Sequence, residues 1–530
     1  MLTKSNFIQC FQNQQELYQV LLDVQQRCWK KKQEQIISIS FEVLPVDPLV
    51  ILDRFLINKE FYFYFRQRVR PPHPPLSFNG TTHLNPLHPS ELKDSDSLTQ
   101  GGWEIAAIGL VPQVELEKDL SQIQYPPSDS SCLTQFDQAK TLIQASLAKT
   151  ISIGRLDLPF SGPHFFCSFN FFDRKTSLGV PSRPYDDQRY PKSTFPTAIV
   201  FMPQWQIVRH QHHSLVVTNH VISGETNIHF LASEIWEKLH LIQHLHHKLI
   251  IPCPKNYGLE KRDVVSEEQF IKGVNSALHA IESQQLHKVV LAHALDVTSP
   301  KPFQLVACLE NTRSLHSDCA VFAIGNGQGQ NFIGATPERL MSITNDGLFV
   351  DALAGSAPRG GTTMEDDWLG HHLMSSQKEL HEHQVVVDFI SQQLINVGLT
   401  PQRSPVPTLL KLNHIQHLQT LIQSVLPTYI HPFHILEVLH PTPAVAGDPQ
   451  QIACQFIRQY EPFERTLYAA PLGWIDYQGN CEFVVGIRSA MVGGNHARLF
   501  AGAGIVAGSN PNREWAEIQL KLKTLLDVLV

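Results

Sequence analysis

Nowhere in this 530-residue chain is there an apolar run approaching the roughly 18 residues that a membrane-spanning helix needs, so no membrane association is expected. The N-terminal stretch, MLTKSNFIQCFQNQQELYQVLL, is amphipathic and Gln-rich. It lacks the apolar core of a signal peptide and the Arg/Ser bias of a transit peptide, which makes the cytoplasm the expected compartment. There is no basic block and no acidic tail. The net charge of −7 is spread along the chain, so nucleic acid is not an expected partner. No two of the nine Cys form a C-x-x-C pair, and nine is odd; reduced thiols are indicated rather than a disulfide frame or a zinc ribbon. The 27 His are scattered, and no segment repeats at a fixed period.

What is present is enough apolar residue, 42%, to build a large core in one domain or two. Glu/Gln-rich Gln14 to Trp29 predicts a helix, and Ile36 to Val43, rich in β-branched and aromatic residues, a strand. A polar, Pro-rich loop is expected at about 71–102, and a second break at Tyr125 to Ser131. We therefore separate an N-terminal α/β segment, 1–130, from a main domain, 131–530. From Ser266 onward the signals sharpen. Leu286 to Val297 is a buried strand with Lys288 at its mouth. Ala320 to Ser342 forms a hairpin around Asn326-Gly327, a turn rather than a phosphate loop because no helix follows Gly325. Glu365 to Val397 reads as one long helix with Leu373, Leu380, Val387 and Leu394 on a seven-residue beat and Gly398 as its stop. Tyr468 to Trp474 and Glu482 to Val492 read as strands. Strands and helices alternate without a βαβ rhythm, which predicts an α+β fold: large, mostly antiparallel sheets packed as a sandwich, with helices outside.

The chain is organised around the stretch Leu499 to Lys521. Asn510-Pro511 is a helix start, and Trp515, Ile518, Leu522, Leu525 and Leu529 form its buried stripe. Glu514, Glu517 and Lys521 share another stripe, directly after Gly502 and Gly504, where backbone can approach a ligand closely. A salt-bridged surface face is the ordinary explanation of such a stripe. Other candidates lie upstream. A Lys at a strand mouth is usually solvated; closed off from water, the neutral amine is favoured and Lys288 becomes a base. Glu338, in GATPERL, is either a loop carboxylate paired with Arg339 or a half-buried general acid. Glu382 sits at the edge of an apolar helix face. The run His381-Glu382-His383 suggests zinc, but residues one and two apart on a helix do not converge. A carboxylate from this helix together with Glu517 suits Mg²⁺ better. Arg488, ending CEFVVGIR, can grip a carboxylate with both arms of its fork, or form a surface ion pair.

The order of these motifs says more than each alone. KVVLA, PERL, LAGS, K-x-x-x-E-H, HPTPAV, YAAP-x-G, GIR and AGAGIV…EW-x-E-x-x-x-K together resemble the chorismate-utilising enzymes, over roughly residues 260–530. These include isochorismate synthase, salicylate synthase, anthranilate synthase component I and aminodeoxychorismate synthase component I. The resemblance implies a cleft holding chorismate and Mg²⁺, with Glu382 and Glu517 as metal ligands. It implies that Arg488, Lys521 and backbone near Gly355, Ala444 and Gly502 hold the substrate carboxylates. Ammonia-using members generally carry Gln where this chain has Lys288, and aminodeoxychorismate synthases often carry a nucleophilic Lys in place of Ala354. The chain is thus most similar to the isochorismate synthases, which need no glutaminase subunit, with Lys288 as base and Glu338 as acid. One departure is His293, where the family often has Arg or Ser. Its place five residues along the strand from Lys288 implies no change in chemistry. His440 and Tyr468 also match the pattern, as packing groups or groups behind the site. The alternatives left open are a salicylate synthase, an amine-forming partner of a glutaminase, and a chorismate-binding protein without activity. The receiving pathway is expected to be menaquinone or phylloquinone synthesis, with a siderophore route as the alternative.

Overall fold

The computed structural model describes residues 11, 13–56, 60–68, 102–112, 114–117, 134–172, 193–245 and 258–529. The loop expected at 71–102, all but its last residue, and the break at 125–131 lie outside the described residues. Two large sheets, of 13 and 10 strands, account for all the strands described. Every pairing is antiparallel except that of Gln35–Val43 with Thr150–Gly154, so the fold is the α+β sandwich expected.

The sheets face each other through aromatic side chains. Phe63 of the larger sheet lies 4.9 Å from Phe166 of the smaller, ring centre to ring centre, and Trp103 lies 5.5 Å from Trp474. Truncating one such buried ring to Ala typically costs about 3–5 kcal/mol. The segment 1–130 does not stand apart. Its strand Phe61–Arg66 hydrogen-bonds to Ala320–Asn326 on one side and Trp103–Ile108 on the other, inside the 13-stranded sheet. The turn after Asn326 is a true hairpin, its side chain accepting from the amides of Gln328 (2.9 Å) and Gln330 (3.2 Å).

Two expectations need correction. The helix expected over 365–397 is two helices, Thr363–Ser375 and Gln377–Asn396, broken at Ser376. Ser376 caps the second, its hydroxyl accepting from the amide of Glu379, a local bond that competes with continued helix. The strand expected over 482–492 is also two: Cys481–Val485 in the smaller sheet and Ser489–Gly493 in the larger. All of their residues but Gly493 are buried, so the pattern hides the change of sheet.

Candidate active site

The chain passes between the sheets twice at one place. Asn331–Thr336 belongs to the larger sheet and Arg339–Thr344 to the smaller, and Pro337-Glu338 joins them. Gly486-Ile487-Arg488 makes the return crossing. The crossings are stitched together: the amide of Val485 donates to the carbonyl of Glu338, and that of Ala335 to the carbonyl of Arg488, both at 3.1 Å. Arg488 sits at φ +49°, a left-handed conformation unusual for a side chain of its size. The crossing thus fixes where Glu338 and Arg488 project. Glu338 is 6% exposed. Burial pushes its carboxyl up to about 7, aided by the charge of Asp351 and opposed by Lys288 and Arg488. Near neutral pH part of the population therefore carries a proton that can be donated.

Lys288 opens the strand Lys288–Thr298 and is 1% exposed. Its Nζ lies 2.8 Å from Oε1 of Glu382, which projects from the Ser376-capped helix. Room for the pair comes from the facing strand His496–Val506. A Cβ on Gly504 would stand 3.0 Å from Glu382 Oε1 and 3.3 Å from Lys288 Cε. A Cβ on Gly502 would stand 2.8 Å from the Tyr468 hydroxyl. Lys521 of the last helix donates to the Gly502 carbonyl at 2.8 Å and pairs with Glu517 at 2.7 Å.

The two helices bring in four carboxylates. Glu379 and Glu382 stand one turn apart on one helix, Glu514 and Glu517 on the other, and all four line the same cleft. Burial raises Glu379 and Glu514, the latter to about 6, and the negative charges of the neighbouring glutamates raise them further. Burial also pushes Glu517 upward, but the charge and hydrogen bond of Lys521 bring it below its ordinary value. Glu379 and Glu514 were not singled out as ligands from the sequence. Their signal was present: each lies three residues before a carboxylate already chosen, hence on the same helix face.

Arg488 meets His417, its Nη2 standing 3.1 Å from Nε2. The other ring nitrogen, Nδ1, faces Ser356 Oγ at 2.8 Å. Burial, with the charges of Arg488 and Lys521, holds His417 well below its ordinary value, so the ring is neutral. Arg488 can only donate, so Nε2 accepts and Nδ1–H donates to Ser356. His417 was missed by sequence reasoning; it lies mid-strand with no signal beyond its type.

Lys288, Glu338, Gly355, Glu382, Ala444, Arg488, Gly502, Glu517 and Lys521 all line one cleft of about 180 Å³. Other histidines point elsewhere. His293 bonds Asp263 (2.8 Å), His383 bonds Thr420 (2.8 Å), and His440 bonds the Phe171 carbonyl (3.0 Å). A larger groove of about 810 Å³ between helices Glu267–Glu282 and Gln450–Tyr460 contains none of the expected residues. Among the described residues no three His, Cys, Asp or Glu converge as a ready-made metal cage. The cleft's ligating groups are four carboxylates that two helices bring together. That donor set fits a hard dication completing its shell with water and substrate oxygens, as Mg²⁺ does.

A family model described as chorismate binding enzyme matches residues 127–530. The chain is 39% identical over 265 residues to isochorismate synthase MenF of Bacillus subtilis, covering 50% of this chain and 56% of that protein. It is 34% identical over 276 residues to isochorismate synthase EntC of Escherichia coli K12, covering 51% and 69%. The chain thus spans little more than half the length of the first of these relatives. Among solved structures it resembles MenF of Escherichia coli, with TM-score 0.66 and 23% identity over 96% of this chain and 100% of that one. It also resembles anthranilate synthase component I of Streptococcus pneumoniae, with TM-score 0.61 and 20% identity over 80% and 92%. These two show a shared fold. With the family's model matched from residue 127 to the end, the chain belongs to the chorismate-binding enzymes.

Proposed function

We propose that the chain is an isochorismate synthase, an isomerase that interconverts chorismate and isochorismate with Mg²⁺. The observation that carries the reading is a buried acid, Glu338, lining the same cleft as the buried Lys288, with Arg488 and Lys521 at hand for carboxylates. Lys288 takes a proton from water, which attacks the ring carbon beside the carboxylate-bearing one. The double bonds shift, and Glu338 gives its proton to the departing hydroxyl. Water enters and water leaves, so the reaction is balanced and reversible, base and acid exchanging roles. Arg488 and Lys521, with backbone near Gly355, Ala444 and Gly502, hold the two substrate carboxylates. Glu382 and Glu517, backed by Glu379 and Glu514, would hold the Mg²⁺, whose charge neutralises the ring carboxylate.

We infer that the product is delivered to menaquinone or phylloquinone synthesis in the cytoplasm, with a siderophore route as the alternative. Among the described residues no helix is long and apolar enough to cross a membrane. The test is incubation of pure protein with chorismate and Mg²⁺, followed by separation of products. Isochorismate is expected. Fluorescent salicylate without added lyase would make it a salicylate synthase. A product that requires ammonia would make it the partner of a glutaminase. Chorismate bound in calorimetry but never turned over would leave a binding protein.

A further inference from the structure

Lys288 is one of two cations among the largest fully buried side chains; the other is Arg465. Arg465 does not line the cleft, nor does its partner Glu461, to which its Nε donates at 2.8 Å. Desolvating such a pair costs about as much as the attraction returns, so stability alone does not explain it. Its surroundings do.

The Lys288–Thr298 strand is paired along its whole length with His496–Val506 on one edge. On the other edge Gly447–Asp448 covers only Lys288 and Val289, and Glu260–Asp263 covers only Leu295–Thr298. Between them, among the described residues, the edge has no strand partner, and the ion pair fills the notch as a strand would. Arg465 Nη2 donates to the Val290 carbonyl at 2.8 Å, and Glu461 accepts from the Ala292 amide at 2.8 Å. Arg465 Nη1 reaches across to the Val445 carbonyl, also at 2.8 Å. The guanidinium lies 4.4 Å from the centre of the Phe171 ring and 5.7 Å from that of Tyr468. Val290, Val445 and Tyr468 each line the cleft.

We propose that Arg465, with Glu461, is a positioning residue for the reaction. It acts as a surrogate strand that sets the spacing of three segments, the one carrying Lys288, the Ala444-Val445 turn and the Tyr468 turn. The proposal rests on the isochorismate synthase reading for its assay. A planar fork can serve three acceptors in fixed directions, which an ammonium cannot, so Lys is a charge-conserving test of geometry.

Arg465→Lys is expected to fold and to lose about 10²-fold in kcat, as a misplacement near 1 Å does, with KM changed less than about threefold. The double variant Glu461→Gln/Arg465→Met, which leaves no buried charge, is expected to fold and to show the same loss. Glu461→Gln alone, nearly isosteric, is expected to lose about tenfold or less. All rates are taken well below each variant's unfolding midpoint. A wild-type kcat in folded Arg465→Lys or in the folded double variant overturns the proposal, as does a loss that appears only in KM. Inactivity of the wild type on chorismate would instead defeat the functional reading, so the two failures are distinct.

Discussion

Two of the clusters of buried charge along the 13-stranded sheet put that charge to different use, and one of the two is the active-site candidate. In the N-terminal part, Arg313 binds Asp47 (2.9 Å) and Glu104 (3.0 Å), Glu104 also accepts from Tyr64 and Arg209, and the backbone carbonyl of Arg313 accepts from Arg66 (2.9 Å). Burial pushes Asp47 upward, but the hydrogen bond and charge of Arg313, with Arg209, bring it below its ordinary value. Charge there is consumed internally. At the other end of the sheet glycine and two chain crossings keep a cleft open, and carboxylates such as Glu338 and Glu514 are left raised rather than lowered. The difference teaches that buried charge becomes chemistry where it faces space and is incompletely balanced.

The sharpest way to break that comparison is to remove the two proton-transfer groups. Lys288→Ala and Glu338→Gln are each expected to lower kcat by about 10²–10⁴-fold with the fold retained, measured by isochorismate formation beside circular dichroism. Near-normal turnover in either would dissolve the contrast. Glu338 also predicts a pH signature. Its folded value, about 7, is raised, so the stability it contributes is full below its ordinary value and is lost as pH rises through about 7. Activity that uses its proton falls over the same range. Glu338→Gln should remove that part of the pH dependence of unfolding between about pH 5 and pH 8; an unchanged slope would move the titration elsewhere.

The carboxylates come next. Chelation by EDTA should stop turnover and Mg²⁺ restore it. Glu514→Gln, one turn behind Glu517, is expected to weaken Mg²⁺ binding by about 10–100-fold in a direct titration. Unaltered affinity would reduce Glu514 to a bystander.

Much of this site was legible because its chemistry sits on regular elements with capping signals. The final helix begins at Asn510, whose side chain accepts from the amides of Asn512 and Arg513, as the Asn-Pro start implies. Lys288 was visible as a charge at the mouth of an apolar strand. What stayed hidden depends on where elements break or change partners. Ser376-x-x-Glu379 spells a helix start, but the seven-residue leucine beat runs across it and reads as continuous helix. Cys481 to Gly493 reads as one strand because both of its strands are buried nearly throughout, so nothing marks the crossing that aims Arg488 except Gly486. His417 and Arg465 owe their roles to distant partners, 71 residues away at Arg488 and 175 at Val290, and no local pattern encodes such contacts.

The space around the cleft can be tested without touching a charge. Gly504→Ala would put a methyl group 3.0 Å from Glu382 Oε1 and 3.3 Å from Lys288 Cε, pressing on the pair. A loss of about tenfold or more in kcat is expected, within the range a misplacement near 1 Å can cause. Full activity would mean the pair yields freely and its placement is not needed.

The smallest expected effect on catalysis is at the balanced cluster. Arg313→Met removes the cation that bonds both Asp47 and Glu104 and leaves them only that of Arg209, so the loss is expected below the roughly 3–5 kcal/mol of a buried charge with no partner. Because Asp47 is lowered in the fold, its stabilisation exists above its ordinary value and is lost as pH falls through the lowered one. The variant should therefore unfold at lower temperature near neutral pH, and the gap to wild type should narrow in acid. Its kcat per folded molecule should stay within about twofold, since none of these residues lines the cleft. A tenfold loss of kcat at a temperature where the variant is fully folded would show that the two clusters communicate along the sheet they share, and that the division drawn between them is false.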